Sequence, residues 1–258
     1  MILRRLALAL ALTSFATLAF AADNNTFIIT TRAGKQVGKA SYTIDKTKQG
    51  FRVKARYEYR LSAPQPDMPS GDPNSGAPIG AMMTEAQYIS EYNVDANGNY
   101  ISGYTQNAST QIITSFQPDK ARSLITIGTM QGGVSGGSNP VPVPSPDFLV
   151  APDYDPSAIQ VLLNGSLAHP HADNKYTLVV PASGAPRQGS KVIYVALQPM
   201  PDATGTLDGK PVTLKHYQIL FVKTNGNIYT DANGALMQAD MGPLAASYVR
   251  AKFVLTPQ

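Results

Sequence analysis

The 258 residues include 21 Lys and Arg against 17 Asp and Glu, with no cysteine and no tryptophan. Charged side chains make up 15% of the chain and are scattered, which excludes the clustered basic footprint of a nucleic-acid binder. Without cysteine the chain has neither a disulfide scaffold nor the acylated cysteine of a bacterial-type lipoprotein. Stability must then come from burial, which a chain of this length can supply as one domain.

Residues 1–22 read as a signal peptide. Arg4 and Arg5 form a positive start, Leu6 to Phe20 an apolar run, and Ala19-Phe20-Ala21 a small-residue cleavage signal. The run is shorter than the ~20 residues of a membrane-spanning helix, and no later stretch is long and apolar enough to span. Cleavage after Ala21 or Ala22 is expected, with a periplasmic or secreted product and no transmembrane segment. Removing Arg4 and Arg5 from the 21 basic residues leaves 19 against 17 acidic, a net of +2.

Residues 23–258 are expected to form a single β-rich domain. Phe27 to Arg32 and Gly38 to Asp45 read as strands. Phe51 to Leu61 is clearer: Phe51, Val53, Ala55, Tyr57, Tyr59 and Leu61 alternate with Arg52, Lys54, Arg56, Glu58 and Arg60. A period of two means one buried and one wet face, as in an antiparallel sheet open to water on one side. Gln87 to Val94, Tyr100 to Gln106, Gln111 to Gln117 and Ser123 to Thr129 follow. So do Lys175 to Pro181, Lys191 to Leu197, Val212 to Val222, Asn227 to Thr230 and Leu236 to Asp240. They are rich in Ile, Val, Thr and Tyr and bounded by Gly, Asn, Asp and Pro. At the end, Val249, Ala251, Phe253 and Leu255 are expected to face in, and Tyr248, Arg250 and Lys252 out.

Asp155 to Gly165 predicts the one helix, with Asp155 as N-cap, Pro156 at the first position and Gly165 just past the end. Ile159, Leu162 and Leu163 form its apolar stripe. It is expected to cover the second face of the strands at 191–197 and 212–222, which are apolar on both sides. Two stretches, 62–79 and 132–156, are dense in Pro, Gly and Ser and read as long loops. The fold class is therefore all-β with one short helix: a curved antiparallel sheet or half-open β-barrel.

Asp-Ala-Asn-Gly occurs twice, at Asp95 to Gly98 and Asp231 to Gly234. A calcium loop wants Gly at position 6 and Glu at 12, and neither copy complies. A three-residue hairpin with Asp bonding onward and Gly at positive φ accounts for every residue. Thr224-Asn225-Gly226-Asn227 reads as a third turn of the same chemistry.

Candidate chemistry is sparse. Gly133-Val-Ser135-Gly-Gly137 matches the nucleophile-elbow pattern, but no helix follows it. His169, His171 and Asp173 offer metal ligands in one loop, with His216 as the third imidazole. His at i and i+2 on an extended chain point to opposite sides, so a solvated loop is expected. Asp147, Asp153 and Asp155 cluster, with Asp155 already engaged as a cap. Tyr42, Tyr57, Tyr59, Tyr88, Tyr92 and Tyr217 either line an apolar cavity or pack the sheet. No catalytic, cofactor-binding or metal-binding residue is assigned from these patterns, and no cofactor is expected.

Gly34-Lys-Gln-Val-Gly38, Asp147-Phe-Leu-Val-Ala-Pro, Tyr176-Thr-Leu-Val-Val-Pro181, Leu207-Asp-Gly-Lys-Pro-Val212 and the terminal Asp231-Ala-Asn-Gly234 resemble, in their order, exported bacterial all-β proteins of unassigned function. Some of that group are similar to the periplasmic lipoprotein-carrier fold, a curved sheet around an apolar groove. The resemblance covers most of the mature chain and transfers no functional residue. Export, a one-sided sheet, absent catalytic signatures and long loops able to gate a groove point to a non-enzymatic binder or carrier of a hydrophobic small molecule or lipid. The alternative is a structural or protein-interaction module of the cell envelope.

Overall fold

The computed structural model describes residues 25–31, 33–59, 86–150, 155–180, 191–221, 224–241 and 246–257. The strands of the first half are β1 (Asn25–Thr31), β2 (Gln36–Lys46), β3 (Gly50–Tyr59), β4 (Ala86–Asp95), β5 (Tyr100–Asn107), β6 (Ile112–Asp119), β7 (Leu124–Gln131), β8 (Val134–Pro142) and β9 (Phe148–Val150). A 3₁₀ turn, Lys120–Arg122, joins β6 to β7. Helix α1 (Pro156–Ala168) precedes β10 (Lys175–Val180), β11 (Lys191–Leu207), β12 (Lys210–Leu220), β13 (Asn225–Thr230), β14 (Leu236–Met241), β15 (Ala246–Arg250) and β16 (Phe253–Leu255).

The strands form one open sheet in the order β8-β7-β6-β5-β4-β3-β2-β1-β15-β14-β13-β12-β11-β10-β9, with β16 beside β11. Every described pairing is antiparallel except β9 with β10. Alternation places the side chains as the sequence implies. Val53, Ala55 and Tyr57 are buried on β3 while Arg52, Lys54 and Arg56 are exposed. Strands far apart in sequence meet in the middle: β1 pairs β15 from Phe27↔Arg250 to Thr31↔Ala246.

The sheet has to curl. Fifteen strands laid flat would separate β8 from β9 by about 65–70 Å. Those two edge strands are joined by residues 143–147 alone, a link that reaches roughly 20 Å at most. The curled inner face encloses α1, which packs against β2, β3, β9 and β14. Every residue from Pro156 to Ser166 is buried. A 13-residue helix is marginal by itself. Here Ile159, Val161, Leu162 and Leu163 join the main core with Phe27, Ile29, Tyr92 and Tyr248, each such burial stabilising by about 1.5–3 kcal/mol.

Several expectations are revised. The stretch at 132–156 is not a long loop: β8 and β9 lie within it. Strand β7 offers β8 a full row of partners, and an edge strand tolerates proline. The Val143 amide donates to the Ser123 carbonyl across that pair, so alternation turns Pro140 and Pro142 the other way. Their missing N–H groups face the open side of the edge. The loop expected at 62–79 lies outside the described residues. Helix α1 runs on past Gly165 to Ala168 and ends where the His169 amide donates to the Gly165 carbonyl. The turn expected at Thr224 to Asn227 is shifted: the Phe221 amide donates to Thr224, and β13 begins at Asn225.

The second face of β11 and β12 is not covered by α1. A smaller cluster does this, built from Ala203, Leu214, Met237 and Phe253, with Tyr229 and Val249 packed against it. A register shift between Met200 and Ala203 re-aims the far half of β11 toward that side. β16 joins it by pairing Gly205↔Leu255 to Leu207↔Phe253. The expected facing of the last strand holds for Val249, Phe253 and Leu255, which pack in the small cluster, and for exposed Lys252, but not for Tyr248. Tyr248 is fully buried in the main core while Val249 faces the small cluster. The chain then turns at Ala251–Lys252, where Lys252 adopts φ 62.

Both Asp-Ala-Asn-Gly segments are the expected hairpins. Asp95 Oδ1 accepts from the amides of Asn97 at 2.9 Å and Asn99 at 2.8 Å. Asp231 Oδ1 accepts from Asn233 at 2.9 Å and Ala235 at 2.8 Å. Gly98 and Gly234 sit at φ 84 and φ 83, with a register shift beside each turn. The two turns share a task, because both touch α1. A Cβ on Gly98 would lie 3.2 Å from the Gly165 Cα, and the Gly234 carbonyl accepts from Gln160 Nε2 at 2.8 Å. Around Gly234 a Cβ would meet nothing within 4 Å. Gly234→Ala should therefore cost about 1 kcal/mol through backbone strain alone, and Gly98→Ala distinctly more because the helix must also give way. Urea unfolding of the two variants measures this, and the reverse ranking would disprove it.

Candidate functional site

The polar groups around α1 form the densest buried network in the described residues. Asp155, the N-cap, accepts from the amides of Ser157 at 2.7 Å and Ala158 at 3.0 Å. The same oxygen, Oδ1, also accepts from the Ser157 hydroxyl, while Oδ2 accepts from the Tyr92 hydroxyl on β4 at 2.9 Å. One turn on, Gln160 Oε1 accepts from the Leu236 amide on β14 at 2.7 Å and from the Tyr42 hydroxyl on β2 at 3.2 Å. Gln160 Nε2 donates to Asn164 Oδ1 and to the Gly234 carbonyl. At the far end the Tyr176 hydroxyl on β10 donates to the Ser166 carbonyl at 3.1 Å. Five strands or turns thus grip the helix through side-chain bonds.

Burial sets the electrostatics here. Desolvation raises the Asp155 carboxyl above its usual range, against the opposing hydrogen bonds from Ser157, Ala158 and Tyr92. Desolvation likewise pushes the Tyr42 and Tyr92 phenols up, helped by the Asp155 charge. An acid with a raised pKa beside a serine resembles catalytic machinery. The geometry speaks for a structural role, since the bonds of Asp155 go to the helix start and to Tyr92, and all three residues are buried. Beyond this network, the Tyr100 hydroxyl and Thr114 Oγ1 are buried with no hydrogen-bond partner among the described residues. The Tyr100 ring packs between Tyr92 and Phe116.

The residues singled out in sequence are dispersed. Ser135 lies on exposed β8 and accepts from the Gly137 amide at 3.2 Å, with a strand rather than a helix around it. His169 is exposed at the helix end. His171 stacks on Tyr176 with ring centroids 4.6 Å apart. Its Nδ1 lies 2.6 Å from the Lys175 carbonyl and its Nε2 2.7 Å from Asp147 Oδ2. Asp173 is held by the Lys175 amide and ammonium, which lower its pKa. His216 belongs to β12, stacked on Tyr229 and 3.0 Å from Asn227 Oδ1. No group of three or more potential metal ligands occurs among the described residues. Asp153 and Arg60 lie outside the described residues. Of the tyrosines, Tyr42, Tyr57, Tyr88 and Tyr92 are buried in the core and Tyr217 is half-buried. Tyr57 and Tyr88 stack at 4.8 Å.

One surface stands apart. Residues 96–146 contain no charged side chain except Asp119, Lys120 and Arg122, and they build β5 to β8. Across the outer face of this wing, register aligns Ile89, Gln106, Ile113, Met130 and Ser135 in a row. Val134, 71% exposed, pairs with Gln131 and so shares the opposite face with Ile112 and Thr129. A shallow groove of about 260 Å³ at this edge is lined by Ile112, Thr129, Gln131 and Val134 of that face and by Met130 and Ser135. The neighbouring outer face of β2 to β4 is different in kind, laced by Lys39–Glu58, Arg52–Glu91 and Lys54–Asp45 ion pairs. The wing was missed in sequence because motif searches look for reactive residues, and its signal is a gap in charge.

No protein-family model matches the chain, and no curated protein matches it. A solved structure of a DUF1089 family protein from Pseudomonas aeruginosa aligns over 77% of this chain and 87% of its own, at TM-score 0.42 and 11% identity. No helix in the described residues is long and apolar enough to cross a membrane.

Two outcomes follow from the buried network. The raised Asp155 pKa means that folding disfavours its ionised form. Its contribution to stability is full below the unfolded carboxylate value and lost as pH rises through the folded one. Urea midpoints from pH 4 to 8 should therefore fall in the wild type relative to Asp155→Asn, which cannot ionise; parallel profiles would contradict this. Tyr100→Phe removes a buried hydroxyl without a partner and should stabilise by about 1 kcal/mol, read as a higher unfolding temperature.

Proposed function

We propose that this protein is a non-catalytic protein-interaction module of the cell envelope, acting through the uncharged outer face of β5 to β8. The observation that carries the reading is the occupied interior. Helix α1 is buried inside the curled sheet with its polar side chains bonded to the sheet and turns. Among the described residues the face left to solvent with few charges is the outer face of the wing, where Met130 is 39% exposed and Ile89, beside it on β4, is 40% exposed. Contiguous apolar surface rimmed by polar groups is what interaction sites display. Amides and hydroxyls such as Gln106 and Ser135 suit hydrogen bonding without steering by charge.

A second reading has support in the inner face, which is apolar and continuous from β1 to β15. On that reading the protein carries a hydrophobic small molecule or lipid. It requires α1 to yield its place, against the bonds of Asp155, Gln160 and Tyr176. The signal peptide supports an exported location for either role.

Site-specific photocrosslinking in the native host separates the readings. A benzophenone side chain at Met130 should trap a discrete protein, whereas one at Lys54, on the ion-paired face, should not. Equal trapping at both positions, or none at Met130, rejects the wing. Lipid recovered in stoichiometric amount from the purified mature protein, by native mass spectrometry, would favour the carrier.

A further inference from the structure

We propose that His171 is a proton-operated latch holding the β9 edge of the sheet to the turn between α1 and β10. The argument begins with hydrogen counting. His171 Nδ1 faces the Lys175 carbonyl at 2.6 Å and Nε2 faces Asp147 Oδ2 at 2.7 Å. A carbonyl and a carboxylate only accept, and a neutral imidazole has a single N–H to donate. Both contacts hold together when the ring carries two protons. With one proton, one contact becomes a meeting of lone pairs and is lost.

The two contacts belong to different parts of the fold. Lys175 opens β10, while Asp147 sits immediately before β9 in the short link from β8. Strand β9 has three residues and pairs with β10 in parallel, so it depends on support beyond its ladder. Phe148 is buried, with the Lys120 ammonium 5.9 Å above its ring and bonded to Asn99 Oδ1 at 3.0 Å. Leu149 packs beside Gly165 of α1. Losing either contact breaks the bridge from β10 through His171 to Asp147 and so loosens the edge that covers this flank of the helix.

The other charged or titratable groups near His171 do not replace the latch. Lys175 Nζ is engaged with Asp173 at 3.4 Å. His169 is exposed at the helix end. Tyr176 gives its hydroxyl hydrogen to the Ser166 carbonyl and receives the His171 amide at 3.4 Å. Lys120, on the 3₁₀ turn, is spent on Asn99.

The test uses fluorine NMR on the mature chain with 4-fluorophenylalanine at position 148, and separately at position 253 as a reference in the small cluster. The pH is scanned from 5 to 8, the range in which histidine chemistry operates. In the wild type a solvent-exposed Phe148 signal should grow roughly fivefold toward pH 8, the scale that a half-exposed ion pair supports. Asp147→Asn supplies an amide N–H to a neutral Nε2, so the edge should stay closed at pH 8. His171→Ala should leave it open throughout. A Phe148 signal indifferent to pH in the wild type would overturn the proposal. So would opening of Asp147→Asn at pH 8, or movement of the Phe253 reference in step with Phe148, which would mark general loosening.

Discussion

Five residues tie together the two edges of a fifteen-strand sheet, and that tether governs the molecule. With β8 and β9 adjacent in sequence, the strands between them cannot lie flat. They must bend into a roll whose inner face needs filling. The natural twist of strands supplies the hand of the curl, and bulges such as the one at Met200/Ala203 supply local bends. What fills the roll is α1, which follows β9 closely in the chain.

Holding a short helix inside an apolar roll poses a polar problem. A helix leaves its first amides and last carbonyls unpaired, and inside a core those groups are expensive to strand. Asp155 meets the first need and the Tyr176 and His169 contacts meet the last. Gln160 takes the Leu236 amide, beside the hairpin bulge of β14. The two Asp-Ala-Asn-Gly turns thus serve the helix as well as their own strands, one by close backbone packing and one by a carbonyl. This shared task explains the recurrence without a duplicated half.

The one-sided strands were legible in sequence because their two faces differ in chemistry: Val53, Ala55 and Tyr57 against Arg52, Lys54 and Arg56. Asp155 as a cap was legible from its neighbour Pro156. Strand β8 was not, because Gly, Ser and Pro are poor strand formers and an edge position forgives them. The inward turn of Tyr248 was hidden too, since both faces of β15 are covered and alternation then carries no direction. Gln160 and Asn164, spaced four apart within a largely apolar helix, did hint at a buried polar seam. Which strands they reach depends on pairings that no local pattern encodes.

The pairing of β1 with β15 carries a consequence for how the protein comes into being. A ribosome delivers residues 25–31 first among the described strands and residues 246–250 near the end. At ordinary rates of chain growth, the interval is on the order of 10–40 s. Throughout it, β1 has β2 for company on one side and nothing on the other, with Phe27 and Ile29 lacking their final cover. The seam that closes the centre of the sheet has the greatest separation in sequence, and of the described strands only β16, paired with β11, is delivered after it. Contacts of that kind slow folding, and they leave the growing chain dependent on whatever shields a half-finished sheet until residues 246–250 arrive.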